Sequence, residues 1–308
     1  MTAIEKVRKL LEGRDAVLLA HNYQRPEVQD AADYVGDSLE LTLKALESKA
    51  SIVVFAGVDF MAEQAAVLCP NKTVLTPEPT AKCPMAAMLT PELVKKYRKR
   101  YPRAPFIVYV NTLARVKALA DYVVTSANAV KLISSLDSEI ILFGPDKNLA
   151  GYVAEVTGKN IVPVPKYGHC PVHEIITLEC LLANKSEHPN AKILVHPECP
   201  REARRLADFI GSTGQMVKAV SELGGREYVV ATEVGLLHRM RKTGIAAYSA
   251  SPYAVCVEMK KTTLGKVTAS LLEGKSIVRV QPKVAERVRG ALERSFEILG
   301  VDIPWLKR

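Results

Sequence analysis

Apolar residues along this chain fall into two rhythms. In IEKVRKLLEG near the start, Ile4, Val7, Leu10 and Leu11 recur at helical spacing, which predicts an amphipathic helix. VLLAHNY, from Val17, instead opens on a short unbroken apolar run, the pattern of a strand buried on both faces. The rhythms alternate along the chain. A lead-in helix such as PELVKKYRKR or HEIITLECLL is followed by a strand, a helix and a short DYVG-type strand. A longer helix (LELTLKALES, ANAVKLISSL), a SIVVF-type strand, a further helix (DFMAEQAAVL) and a fourth strand (KTVLTP, NIVPVP, IAAYSAS) complete the unit. Such alternation predicts an α/β protein with parallel sheets covered by helices on both faces.

The unit recurs three times, and internal repeats decide a fold reading before anything else. ADYVGDS at 32–38 returns as ADYVVTS at 120–126 and ADFIGST at 207–213, offsets of 88 and 87 residues. The same offsets align VLLAHNY, FIVYVNT and KILVHPE upstream and SIVVFAG, EIILFGP and EYVVATE downstream. The expected architecture is three αβα domains related by a pseudo-threefold axis, each with a small parallel sheet, around a central active site. The expected limits are 1–83 together with 257–308, then 84–169, then 170–256. The segment after Cys256 reads as two helices outside the repeats that return to the first domain.

Composition narrows the class. No apolar run in the 308 residues reaches the roughly 18–20 that a membrane helix needs, and the N-terminal helix pattern lacks a signal-peptide core. A cytoplasmic protein is therefore expected. Lysine and arginine number 42 against 33 acidic residues. Residues 257–308 hold 11 basic and 6 acidic residues, and a second basic run, KKYRKRYPR, occupies 95–103. The run fits the solvated face of a helix; no nucleic-acid module accompanies it, and the same field would attract small anions.

The repeat register also selects candidate chemistry. Ligands of open parallel sheets bind beyond the carboxyl ends of the strands. At that end of each first strand lie the equivalent residues His21, Tyr109 and His196, and two positions on, Tyr23, Asn111 and Glu198. Ser38, Ser126 and Thr213 are equivalent and are each expected to open a helix, as caps or as anion sites. Cys83, Cys170 and Cys256 close the three repeats at offsets of 87 and 86, whereas Cys69, Cys180 and Cys199 share no register. Around a threefold axis the first trio would meet, and three thiolates suit zinc or an iron–sulfur cluster. Spacing does not choose between them.

Together, HNYQRPEVQDAADYVGDSLEL, VYVNT, GHCPVHE, VHPEC and ATEVG resemble the quinolinate synthase family, often called NadA, over essentially the whole chain. That resemblance implies a [4Fe–4S] cluster on Cys83, Cys170 and Cys256 with one iron left open as a Lewis acid. It implies condensation of iminoaspartate with dihydroxyacetone phosphate to quinolinate, with loss of phosphate and water, for NAD synthesis. Tyr23 and Glu198 become the acid/base pair, with burial expected to raise the Glu198 pKa. His21, His196, Tyr109 and Asn111 become positioning groups, with His173 and Met61 added as pocket residues. Ser38 with His21 is expected to hold phosphate, and Ser126 and Thr213 with His196 carboxylates. Some longer members carry CxxCxxC near the last ligand; here Cys256 is followed by Val-Glu-Met-Lys, so a disulfide switch of that kind is not expected. An L-aspartate oxidase or dehydrogenase is a functional partner to consider. An aconitase-like hydratase and a nucleic-acid binder with structural zinc are the competing readings. A radical S-adenosylmethionine enzyme is disfavoured because CxxxCxxC is absent.

Overall fold

The computed structural model describes residues 1–301. Among these the apolar runs form twelve strands in three separate four-stranded sheets. The first contains β1 (Ala16–His21), β2 (Tyr34–Gly36), β3 (Ile52–Ala56) and β4 (Thr73–Leu75), in the order β2-β1-β3-β4. The second contains β5 (Phe106–Tyr109), β6 (Tyr122–Val124), β7 (Ile140–Gly144) and β8 (Asn160–Pro163). The third contains β9 (Lys192–Val195), β10 (Phe209–Ile210), β11 (Glu227–Ala231) and β12 (Ala246–Ser249). Both repeat the order of the first, as β6-β5-β7-β8 and β10-β9-β11-β12, and all pairings are parallel. The chain is thus an α/β protein of three small sheets layered with helices.

The strands carry apolar residues without polar alternation because both faces are covered. Successive side chains leave a strand on opposite sides. Val17, Leu19, Val53 and Phe55 accordingly enter one buried cluster, and Leu18, Ala20, Val54 and Ala56 another. The first cluster continues into Phe106, Ile107, Val108 and Phe143 of the second sheet, while the third sheet keeps two clusters of its own. Polar contacts tie it to the first sheet: Ser212 Oγ donates to Asp37 Oδ2 at 2.9 Å, and Asn22 Nδ2 to Thr213 Oγ1 at 2.8 Å.

The aspartate shared by the three AD-Tyr/Phe motifs has a structural task. Asp33 accepts the backbone N–H of Leu18, Asp121 that of Phe106 and Asp208 that of Ile193, each at 2.7 Å. Its own N–H returns to the carbonyl of the same residue in all three repeats. This two-bond suture joins the start of the short strand to the first strand.

The segment after Cys256 continues the repeat, contrary to the sequence expectation. Thr90, Thr177 and Thr263 each stand seven residues beyond a repeat cysteine. Each accepts a backbone N–H through its hydroxyl and so caps a ten-residue helix: Pro91–Arg100, Leu178–Glu187 and Leu264–Glu273. The shared signal is a cysteine followed seven residues later by a capping threonine; the residues between differ in the three repeats. Helix Leu264–Glu273 packs on helix Ala3–Gly13 and on β3. The last helix, Pro282–Leu299, instead lies across helices Asp59–Leu68 and Ala114–Lys117 and β6, where Val123 N–H donates to Ser295 Oγ at 2.9 Å. The basic run sits on helix Pro91–Arg100, with Lys95, Lys96, Lys99 and Arg100 exposed and Arg98 paired to Asp121 at 2.9 Å.

Candidate active site

A parallel sheet ordered β2-β1-β3-β4 has its crevice where the chain leaves β1 to one side and β3 to the other. One cavity of about 230 Å³ is lined from that end of all three sheets. Every candidate residue read from the repeats lines it (His21, Tyr23, Ser38, Cys83, Tyr109, Asn111, Ser126, Cys170, His196, Glu198, Thr213 and Cys256), as do Met61 and His173.

The two strand-end histidines are held alike. The backbone N–H of Tyr23 donates to His21 Nδ1 at 3.2 Å, and that of Glu198 to His196 Nδ1 at 3.3 Å. With Nδ1 an acceptor, each ring carries its proton on Nε2. Burial pushes both pKa values down to about 3, so both rings are neutral at physiological pH.

Tyr23 and Glu198 come from different repeats and meet through His173. Tyr23 Oη lies 2.6 Å from Thr232 Oγ1 and 3.4 Å from His173 Nε2; His173 Nε2 is 2.9 Å from the same Thr232 oxygen. On the other side of the ring, His173 Nδ1 is 3.0 Å from Glu198 Oε2, yet neither atom completes a hydrogen bond. Glu198 Oε1 accepts from Tyr109 Oη at 2.5 Å. Ser126 lines the same cavity as Tyr109. Burial and the Glu198 charge hold both tyrosines well above their ordinary pKa, so each is a protonated phenol.

Glu198 departs from expectation. Burial alone raises a carboxyl pKa, but the adjacent imidazoles and the Tyr109 hydrogen bond outweigh it and hold the group at about 2. The side chain is an ionised carboxylate throughout the working range. The sequence showed the burial but not the donors, which arrive from two other loops.

The three hydroxyls also differ in part from expectation. Ser38 and Thr213 are the first residues of helices Ser38–Glu47 and Thr213–Leu223, and the caps are Asp37 and Ser212. Ser126 lies in the turn before helix Ala129–Ser134, three residues short of it, because Asn128 closes that turn on Thr125 N–H at 2.7 Å. At Ser38 and Thr213 the capping function is thus carried by the preceding residue. The signal was present: Asp37 with Glu40 and Ser212 with Gln215 are capping boxes.

Cys83, Cys170 and Cys256 are half-buried on the cavity wall. Burial pushes each thiol up; Cys256 adds to the effect on Cys83, and Glu198 and then Cys83 to that on Cys170. Cys170, His173 and Glu198 bring ligand atoms within 4.8 Å of one another and form a group able to hold a metal ion. Cys69, Cys180 and Cys199 do not line the cavity; Cys199 is buried with its sulfur 3.4 Å from the Ala231 carbonyl oxygen. His169, His188 and His238 also lie off it: His188 stacks on Tyr248 and His238 pairs with Asp30. Thr232 and the buried Asn22, which holds Thr213, escaped the sequence reading. Thr232 has proline and glycine at the equivalent positions 145 and 57, so the repeat carries no sign of it.

Comparison with known proteins places the chain among relatives of one family. The family described as "Quinolinate synthetase A protein" matches residues 5–297. Quinolinate synthase of Pyrococcus abyssi is 49% identical over 300 residues, covering 97% of this chain and 100% of the relative. That of Thermococcus kodakarensis is 50% identical over 297 residues, 96% and 98% of the two chains. That of Thermotoga maritima is 45% identical over 299 residues, 96% and 100%. Neither the hydratase nor the nucleic-acid reading finds support in them. No helix among the described residues is long and apolar enough to cross a membrane.

Proposed function

The chain belongs to the quinolinate synthase family, and from that premise we propose that it condenses iminoaspartate with dihydroxyacetone phosphate. The products are quinolinate, phosphate and water, and the setting is de novo NAD synthesis in the cytoplasm. An L-aspartate oxidase or dehydrogenase is the reaction class that supplies the imine. The observation that carries the proposal is the convergence of three repeat-equivalent thiols with Tyr23 and Glu198 on one small cavity.

The donor set fits an iron–sulfur cluster. Three thiols, one from each repeat, face a cavity beside a buried imidazole nitrogen and a carboxylate oxygen that lack hydrogen bonds. Cys83, Cys170 and Cys256 would hold a [4Fe–4S] cluster, losing their protons on binding. With three protein thiolates, such a cluster supplies a Lewis-acidic iron open to substrate.

The chain's own groups bind substrate and move protons. His21 and His196 offer neutral Nε2–H donors to anionic groups without adding charge. Ser38, the first residue of a ten-residue helix whose Leu39 and Glu40 N–H groups are taken by the Asp37 cap, joins His21 at the phosphate through its hydroxyl. Thr213 and Ser126, with His196, hold carboxylates, and Asn111 and Met61 shape the wall. Tyr23, kept protonated, donates a proton through Oη to a departing oxygen. Glu198, kept ionised, accepts one at Oε2, because Oε1 is occupied by Tyr109. The test is anaerobic reconstitution followed by incubation with both substrates. Quinolinate and phosphate in equal amounts support the proposal; cluster-loaded protein that forms neither refutes it.

A further inference from the structure

Three carboxylates that the repeat motifs do not single out recur at nearly the repeat spacing: Asp59, Asp146 and Glu233, 87 residues apart, with Asp59 one residue off the 88-residue offset between the first two repeats. Each follows the third strand of its sheet, and the fourth strand beside it leads to the repeat cysteine. The two loops adjoin because those strands are parallel neighbours.

The same pair of hydrogen bonds joins them in every repeat. The backbone N–H of Cys83 donates to Asp59 Oδ1 at 3.2 Å, that of Cys170 to Asp146 Oδ2 at 3.1 Å, and that of Cys256 to Glu233 Oε1 at 3.0 Å. Backbone N–H groups at or beside the carboxylate residue donate back to the carbonyl two residues before the cysteine. These are Asp59 to Ala81 (3.0 Å), Lys147 to Gly168 (2.7 Å) and Val234 to Ala254 (3.0 Å). Each cysteine carbonyl in turn accepts from the residue four further on, Ala87, Glu174 or Lys260. With its N–H and C=O both engaged, a cysteine keeps little freedom beyond the torsion that aims its sulfur. The approach is close: a Cβ at Gly168 would lie 1.9 Å from the Pro145 carbonyl oxygen.

Tuning of thiol charge does not account for this arrangement. Burial is the main cause holding each thiol up, and the neighbouring carboxylate adds to it in all three. A negative group there opposes thiolate formation, so its hydrogen bond is what the position supplies. We propose that Asp59, Asp146 and Glu233 are the positioning residues of the metal-binding loops, each fixing the backbone of one cysteine so that three sulfurs address one point. The third has a further reach. Lys260 pairs with Glu233 at 2.8 Å and donates to the Tyr23 carbonyl at 2.5 Å, so the Cys256 loop and the segment bearing Tyr23 form one bonded unit.

The inference rests on the reading of the three cysteines as metal ligands, and its test has one arm that does not. In the apoprotein, Asp59→Ala, Asp146→Ala and Glu233→Ala should each speed hydrogen exchange in their own cysteine loop by about tenfold or more, the scale of a hydrogen bond to a charged acceptor. In reconstituted protein, iron transfer to a chelator should quicken by a similar factor. Asp59→Asn, Asp146→Asn and Glu233→Gln keep an acceptor oxygen and should restore most of both. Thr90→Ala and Thr177→Ala, which remove helix caps just beyond the same loops, should lower the melting temperature without quickening iron release. Parental exchange and iron release in the folded alanine variants would overturn the proposal, as would equal quickening in the cap variants. If the fully buried Asp146→Ala chain fails to fold, the part-exposed Asp59→Ala chain decides the matter by the same two readouts. If the parent takes up no iron, the ligand reading fails, while the exchange arm still decides the clamp.

Discussion

Tyr23→Phe separates chemistry from architecture more cleanly than any other change at this site. The substitution keeps the ring, which packs edge-on against His21 with centroids 4.6 Å apart, and removes only the hydroxyl. That hydroxyl lies 2.6 Å from Thr232 Oγ1, but Thr232 keeps His173 Nε2 at 2.9 Å, so no buried group is orphaned. The folding cost is therefore that of one ordinary hydrogen bond, about 0.5–1.5 kcal/mol. If the phenol delivers a proton in the reaction, turnover should fall by roughly two to four orders of magnitude, or about 2.7–5.5 kcal/mol. The assay measures quinolinate formation, iron content and melting temperature on one preparation. A full cluster and near-parental stability with collapsed turnover is the expected result. Parental turnover would show that Tyr23 only shapes the cavity, and loss of iron would show that it supports the metal site instead.

Glu198→Gln should behave alike, retaining iron while losing a comparable factor in turnover; near-normal turnover removes it from the chemistry. Ser126→Ala and Thr213→Ala should each weaken binding of a dicarboxylate product analogue by about 1.5–3 kcal/mol while changing stability less, because Asn128 and Ser212 maintain the turn and the cap. Falling stability with unchanged affinity would reduce both to structural hydroxyls. The buried histidines predict acid sensitivity. His21 and His196 hold pKa values of about 3 against an ordinary 6.5, so the unfolded chain binds protons that the folded one refuses. Their stabilisation is complete above about 6.5 and is lost as pH falls toward 3, at about 2 kcal/mol per histidine by pH 5. Urea unfolding of the apoprotein at pH 7 and pH 5 should register it, and His196→Asn should remove about half of the difference; an unchanged difference contradicts neutral, buried rings.

The fold was legible because two signals coincide: unbroken apolar runs give strands buried on both faces, and fixed offsets make one unit account for three. The same offsets brought His21, Tyr109, His196 and the three cysteines to notice, since a symmetric fold gathers equivalent positions. What stayed hidden breaks the symmetry or depends on partners from another repeat. Thr232 has no polar equivalent, and the ionised state of Glu198 is set by Tyr109 and His173 from two other loops. The clamp carboxylates lie within one residue of register but sit in the dissimilar contexts GVDF, GPDK and ATEV, where only the shared contact to a cysteine N–H reveals them.

Acid-labile sulfide and iron per chain, measured anaerobically across Cys→Ser variants, test the central claim most directly. Cys83→Ser, Cys170→Ser and Cys256→Ser should each lose most of both, because each removes one thiolate from the cavity wall. Cys69→Ser and Cys180→Ser should match the parent, with iron and sulfide in the equal proportion of a [4Fe–4S] cluster. A full complement in Cys170→Ser, or its loss in Cys180→Ser, would contradict the account.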